Sequence, residues 1–171
     1  MSQVRHGADR FRQEAIGQNL WDDIYTQVWG RDISIERGLG TLLDDMGVDL
    51  LVRHPGWPFP IYGQEKTLGY HYGTERGFDT LTVEEWQQEG VEGDAFHLPV
   101  HFYACAYLNG TEDAFTHGGI VDWQRAVRAS WRGQIQWHRN RNQDGQARAS
   151  FMCVLFKDIP PDCMLWRLER H

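Results

Sequence analysis

Much that would fix a chemistry or a compartment is missing from this chain. Its three cysteines, Cys105, Cys153 and Cys163, are an odd number without the close spacing of a metal site. That argues against a disulfide framework and for reduced, mostly buried thiols, the state expected in a cytoplasm. No apolar run approaches the roughly 18–20 residues that span a bilayer, so no membrane partner is expected. The opening stretch, residues 1–10, has no apolar core of the kind a secretory leader carries. There is no phosphate-cradling glycine loop, no nucleophile elbow and no Cys-x-x-Cys pair. Positive charge is also in deficit: 24 acidic against 17 basic residues leave a net −7. A generally basic nucleic-acid binder is thereby excluded.

What is present describes a folded protein. The 171 residues suit one domain with one substantial core, and 41% hydrophobic with 24% charged residues is ordinary for a folded chain. Residues 1–18 read as a polar arm and 19–171 as a single domain. Eight tryptophans fill a core or a partner surface, and they leave room for a homodimer interface. Charge is distributed unevenly. Between Asp122 and Arg148 six arginines face two aspartates, a local +4 on a remainder of −11. Such a stripe can hold a phosphate backbone on an acidic protein.

Periodicity supplies the elements. Leu20, Trp21, Ile24, Tyr25 and Val28 are spaced as one helix face that ends near Gly30. A second helix is expected from Ser34, as cap, to Met46. Ile35, Leu39, Leu42, Leu43 and Met46 would form its apolar stripe and Gly47 its C′ stop. Strands follow at 48–53 and 59–66 around a His54–Pro58 turn, with a third near Thr80–Glu84. Residues 98–107 read as a packed helix, because Pro99 suits a first turn and Ala104 and Ala106 are small. A strand at 115–121, a helix at 122–131 and a last strand at 150–156 complete a mixed α/β order around one sheet.

One pair of motifs carries chemistry. Asp49 sits in the apolar run Val48–Val52, and Gln64-Glu65-Lys66 ends the run that starts at Phe59. Alternation on a strand points Gln64 and Lys66 together and Glu65 away, and Asp49 on the neighbouring strand can face the same place. A register shifted by one would put Glu65 there instead. Glu36, flanking the stripe of the expected second helix, could reach over the sheet edge. Two carboxylates, the Gln64 amide oxygen and the Glu65 backbone carbonyl would suit an octahedral, oxygen-seeking ion such as magnesium. Glutamine in place of a carboxylate removes one negative charge, so a tighter-binding ion such as manganese is expected to serve better.

The set Glu36…Asp49…Gln64-Glu65-Lys66, on helix, strand and strand, resembles the PD-(D/E)XK nuclease superfamily. The resemblance implies a restriction-endonuclease-like αβββαβ core with a mixed central sheet flanked by helices. It implies a Mg2+- or Mn2+-dependent deoxyribonuclease with Asp49 and Gln64 as metal ligands, Lys66 as catalytic lysine and Glu36 as helix-borne acid. The usual third residue is Asp or Glu. A Gln-x-Lys form occurs in some members, a transposase endonuclease subunit among them, and Val48 stands where a proline is common. The implied substrate is DNA, with RNA as the alternative.

Other groups stand beside it. Arg125, Arg128 and Arg132 share one helix face, and Trp137-His138-Arg139-Asn140-Arg141 follows. Arginines with an interleaved aromatic suit phosphate contact and base stacking, although a solvated face reads as well. Tyr70-His71-Tyr72 could line a groove. His97, His101 and His117 could form a zinc or iron trio acting on a small molecule, but no carboxylate spacing supports it, and groove or core histidines fit better. A nuclease fold that has lost catalysis and only binds nucleic acid or an assembly partner is the remaining alternative.

Overall fold

The structure, a computed structural model, describes residues 3–88, 91–92, 98–141 and 150–170. Helix α1 spans Gln3–Trp29 and is followed by strand β1, Ser34–Arg37. A single helical turn, α2 at Thr41–Asp45, leads to β2, Leu50–Arg53, and β3, Ile61–Leu68. A π-helical turn at His71–Glu75 precedes β4, Thr80–Gln88, and β5, Val91–Glu92. Next come β6, Phe102–Leu108, β7, Phe115–Asp122, and helix α3, Trp123–Trp131. Strands β8, His138–Arg141, β9, Ser150–Leu155, and β10, Met164–Leu168, complete the chain.

Six strands form a mixed sheet in the order β1-β2-β3-β6-β7-β10, and β5-β4-β9-β8 form a second one. Within the large sheet β3 and β6 are parallel, and the other neighbours are antiparallel. A parallel pair needs a long crossover, and residues 69–101 supply it, carrying β4 and β5 out to the second sheet. The architecture is mixed α/β. Among the described residues no helix is long and apolar enough to cross a membrane.

Strand β6 explains the layering. All seven of its residues are buried, the near-continuous apolar pattern of a strand covered on both faces. Ala104 and Ala106 face Trp21 and Tyr25 of α1, with Leu50, Val52, Phe102 and Ile120 around them. Tyr103, Cys105 and Tyr107 face the other way, among Leu81, Val83 and Val154 of the second sheet and Trp123, Ala126 and Ala129 of α3. Tyr103 and Tyr107 donate hydroxyl hydrogen bonds to the carbonyls of Thr82 and Thr80, each at 2.9 Å. Each such bond contributes about 1 kcal/mol and ties β4 to the large sheet.

Two expected helices are corrected by this arrangement. Residues 98–107 hold a strand, since the alanines that suggested a helix are small because α1 packs close to them. The approach is tight: a Cβ on Gly17 would run into Thr67, and one on Gly63 into the Phe102 ring. Residues 34–46 are not one helix. Gly38 and Gly40 have φ of 66° and 97°, which breaks the helix and leaves β1 before them and one turn after. The expected stripe divides accordingly. Leu39 and Leu43 pack on the core, whereas Leu42 is 73% exposed. Gly47, at φ 74°, does hold the left-handed stop expected of it.

Helix α1 also starts far earlier than expected, so residues 3–18 are helical. The strands expected at 48–53, 59–66, 80–84, 115–121 and 150–156 correspond to β2, β3, β4, β7 and β9. Helix α3 begins where expected: Asp122 caps it by accepting the Arg125 N–H at 2.9 Å. All three cysteines are free thiols, and burial pushes Cys105 up to about 11.

Candidate functional site

The antiparallel register of β2 and β3 sets Leu50 opposite Gly63, Leu51 opposite Tyr62 and Val52 opposite Ile61. One step before β2 begins this register breaks, because Asp49 also bonds Gly63, the residue already opposite Leu50, in the manner of a β-bulge. The Asp49 N–H donates to the Gly63 carbonyl at 3.0 Å. Its Oδ2 accepts the Glu65 N–H at 2.8 Å. The carboxylate therefore stands where a ladder carbonyl would have been, and a charged acceptor makes the stronger bond. The Glu65 N–H points to this edge, and the carbonyl of a strand residue points to the same side as its N–H. Asp49 and the Glu65 backbone thus meet at one corner, where β2 opens, near enough to the α1 face for the Asp49 charge to act on Tyr25.

Side chains along β3 alternate between the sheet faces. Thr67 faces α1, where Oγ1 accepts from Trp21 Nε1 at 3.2 Å. Glu65 is on that same face, gripped by Arg37 at 2.9 and 2.7 Å. Lys66 is on the opposite face, with Nζ 5.3 Å from the centroid of the Phe151 ring on β9. Gln64, two residues back, shares the Lys66 face. A cation over a ring is held more firmly than one in solvent.

Burial pushes the Glu65 carboxyl up from its ordinary value, and the hydrogen bonds and charge of Arg37 oppose that without cancelling it. Burial also disfavours the Arg37 charge, but the bonds to Glu65, with Asp22 behind them, outweigh it and raise the guanidinium. Tyr25 is fully buried close to this group, and burial and then the Glu65 charge raise its phenol. The cluster Asp22, Arg37, Glu65 and Tyr25 was not foreseen from the sequence. Its signal was available, because the alternation that aims Gln64 and Lys66 one way must bury Glu65 on the other face, where only a cation can hold it.

Glu36 does not join the corner. It lies on β1 rather than on a helix, with Leu51 opposite. Its carboxylate is 61% exposed and lies 3.9 Å from Arg53. Arg53 pairs with Ser34, on the side of Glu36 away from Asp49, so the contact draws the acid off the expected site. The helix that does precede the three strands is α1, and its acid Asp22 is engaged with Arg37 at 2.7 Å.

The histidines do not form a trio. His97 lies outside the described residues. His101 Nδ1 accepts the Tyr62 N–H at 3.0 Å. His117 is fully buried, with Nδ1 2.8 Å from Thr116 Oγ1 and Nε2 donating to the Phe78 carbonyl at 2.7 Å. Tyr107 pairs with His117, so His101 and His117 sit at opposite ends of β6, roughly 20 Å apart at strand rise. Tyr72 packs against the core.

The arginines divide by role. Arg125 is tied to Asp122 at 3.2 Å and to the Asp162 carbonyl at 2.9 Å. Arg139 lies 2.6 Å from the buried carboxylate of Glu85. Arg128 and Arg132 are exposed, without an ion pair among the described residues. Arg141 lies on β8 opposite Ser150. Trp137, expected to stack on bases, instead packs edge-on to Trp123 at 6.2 Å and donates to Ser130 Oγ at 2.8 Å.

Among the described residues no three His, Cys, Asp or Glu side chains gather as a metal group. Of the expected donors, the Asp49 carboxylate meets the Glu65 backbone, and the Gln64 amide extends from the next residue back on the Lys66 face. That donor set fits a hard, oxygen-seeking ion that keeps much of its water, and with a single charge it would hold the ion weakly. Compared with protein-family models, curated proteins and solved structures, the chain matches none.

Proposed function

We propose that the chain is a metal-dependent phosphodiester hydrolase acting on DNA, built on a PD-(D/E)XK-like core. The observation that carries this reading is the bond from the Glu65 N–H to the Asp49 carboxylate at 2.8 Å, on the strand that also carries Gln64 and Lys66. The element order gives it further support. One helix precedes three antiparallel strands, and a crossover returns to a strand parallel to the third. In place of the single crossover helix of an αβββαβ core, this chain carries β4, β5 and a π-helical turn.

In this reading Asp49 and Gln64 hold Mg2+ or Mn2+ with the Glu65 carbonyl. The bound ion supplies charge neutralisation at the phosphate and a water of lowered pKa. Lys66, whose ammonium lies over the Phe151 ring, would supply positive charge to the phosphate oxygens, where negative charge grows as water adds and the leaving P–O bond breaks. Asp49 is positioned for this by its bond to the Glu65 N–H. Arg37 fixes the β3 backbone from the other face through Glu65.

A second reading is a nuclease fold that binds without cutting. It is favoured by the turn of Glu36 towards Arg53 and by glutamine at the third motif position, which leave Asp49 as the motif's one carboxylate among the described residues.

The test is a cleavage screen of plasmid, linear, single-stranded and branched DNA, with RNA beside them, in Mg2+ and in Mn2+. Cleavage abolished by Asp49→Ala and reduced at least a hundredfold by Lys66→Ala supports hydrolysis. Cleavage that survives both substitutions removes this site. Binding without cleavage in the parent protein selects the second reading.

A further inference from the structure

We propose that the outer face of α3 is a contact for single-stranded nucleic acid, with Trp131 as the stacking ring and Arg128 and Arg132 as the phosphate clamps. Trp131 is the most exposed large apolar side chain described, at 82%. One exposed tryptophan is unremarkable by itself. Its neighbours make the difference. Arg128 lies three residues before it, one helical turn away on the same face, and Arg132 follows it directly. Neither arginine pairs with an acid among the described residues, whereas Arg125, one turn earlier, is engaged by Asp122 and the Asp162 carbonyl.

The inner face of the helix is fully committed. Trp123, Ala126 and Ala129 are buried in the core, and Ser130 accepts from Trp137. Nothing on that side competes for the exposed indole and guanidinium groups. Charge complementarity then selects the occupant. Arg128 and Arg132 put two exposed positive charges beside the indole, on a chain whose net charge is −7, so a polyanion is attracted to this face and repelled by the acidic remainder.

The indole selects a single strand over a duplex. Bases in a duplex are stacked on one another, and a ring protruding from a convex helix would meet only sugar and phosphate. An unpaired base offers its π-face, which any aromatic ring can take regardless of sequence. Trp123, at the start of α3, packs 5.5 Å from Tyr103, and Tyr103 lies beside Gln64 in the β3–β6 register. The inner face of the helix therefore covers the sheet face that carries Lys66, and the proposed contact is on the side away from it. The proposal goes beyond the hydrolase reading and does not rest on it.

The test is fluorescence anisotropy of a labelled oligo-dT of about a dozen nucleotides, against a hairpin duplex, at low salt in EDTA so that nothing is cut. The full chain should bind the single strand more tightly than the hairpin. Trp131→Ala should weaken single-strand binding roughly tenfold or more, and Trp131→Phe should retain most of it. Arg128→Gln and Arg132→Gln should each flatten the slope of log K against log salt by roughly 0.7. Each variant should keep the parent's circular dichroism spectrum and melting midpoint, because the positions are exposed. No single-strand binding, equal binding of the hairpin, or Trp131→Ala binding like the parent would overturn the proposal. So would equal displacement by oligo-glutamate, which would assign the face to an acidic peptide. Absence of cleavage in Mg2+ and Mn2+ would remove the hydrolase reading and leave this result standing.

Discussion

Arg37 and Glu65 are joined by two parallel hydrogen bonds across a strand to which neither belongs. Nε lies 2.9 Å from Oε2 and Nη2 lies 2.7 Å from Oε1. Arg37 is on β1 and Glu65 on β3, with β2 between them, so the pair spans Leu50 beneath α1. Breaking a buried pair from one side strands a charge and typically costs about 3–5 kcal/mol. Arg37→Ala should therefore lower the urea midpoint strongly, while Arg37→Met combined with Glu65→Met should recover much of the loss. Equal effects of the single and double variants would show that the pair is not the coupled unit it appears in the geometry.

Asp49 has two tasks that substitution can separate. It accepts the Glu65 N–H at the edge of the sheet, and it is the carboxylate proposed to hold the metal. Asp49→Asn keeps an amide oxygen for the N–H but loses the charge. It should melt close to the parent and still fail to cleave DNA or bind Mn2+. Asp49→Ala should fail in the same way and also lose about 1–2 kcal/mol, the usual cost of an unsatisfied buried donor. Thermal melts beside Mn2+ titration check both. An asparagine variant with full activity would leave Asp49 a purely structural role.

The strands of this fold were easier to read than its helices, for identifiable reasons. Around Asp49 and Gln64-Glu65-Lys66 the apolar runs are short and bounded by a Pro-Gly turn, so strand limits and side-chain faces followed from alternation alone. Strand β6 was misread because it is covered on both faces, and its alanines reflect the closeness of α1 rather than helix propensity. The stripe from Ile35 to Met46 imitated a helix by chance across a strand and a single turn. Only the left-handed glycines Gly38 and Gly40 separate the two, and a glycine's handedness is not written in its letter. Placing Glu36 wrongly followed from that. Strand β10, Met164-Leu165-Trp166-Arg167-Leu168, was overlooked after Pro160-Pro161 despite its apolar character, and it closes the edge of the large sheet. Alternation on β3 signals that Glu65 is buried and needs a partner, but the partner, Arg37, is 28 residues away, and no local pattern names it.

Glutamine at position 64 leaves the metal corner one charge short of the usual acid pair. Gln64→Glu should restore that charge. Mg2+ should then support activity at a lower concentration, and the advantage of Mn2+ over Mg2+ should shrink. Metal titrations of DNA cleavage by parent and variant measure this directly. If Gln64→Glu leaves the dependence on both ions unchanged, Gln64 is not a ligand.

His117 makes stability depend on pH in a direction that can be worked out. Burial, opposed by the Phe78 carbonyl and the nearby Asp79 charge, holds its pKa below the ordinary 6.5. Between the folded value and 6.5 the unfolded chain binds more protons than the folded one, so folding is penalised as protons are added. The stability contributed by the neutral ring is fully present above 6.5 and is lost as the pH falls through the folded value. The ring is stacked on Tyr107 at 4.4 Å and held at both nitrogens, so a charge there has no water to relax into. The urea midpoint should therefore drop from neutral pH towards pH 5 in the parent. In His117→Gln, which keeps polar groups for Thr116 and Phe78 but cannot titrate, the slope over that window should be shallower from a lower starting value. Parallel slopes in the two proteins would show that His117 does not change its protonation on unfolding.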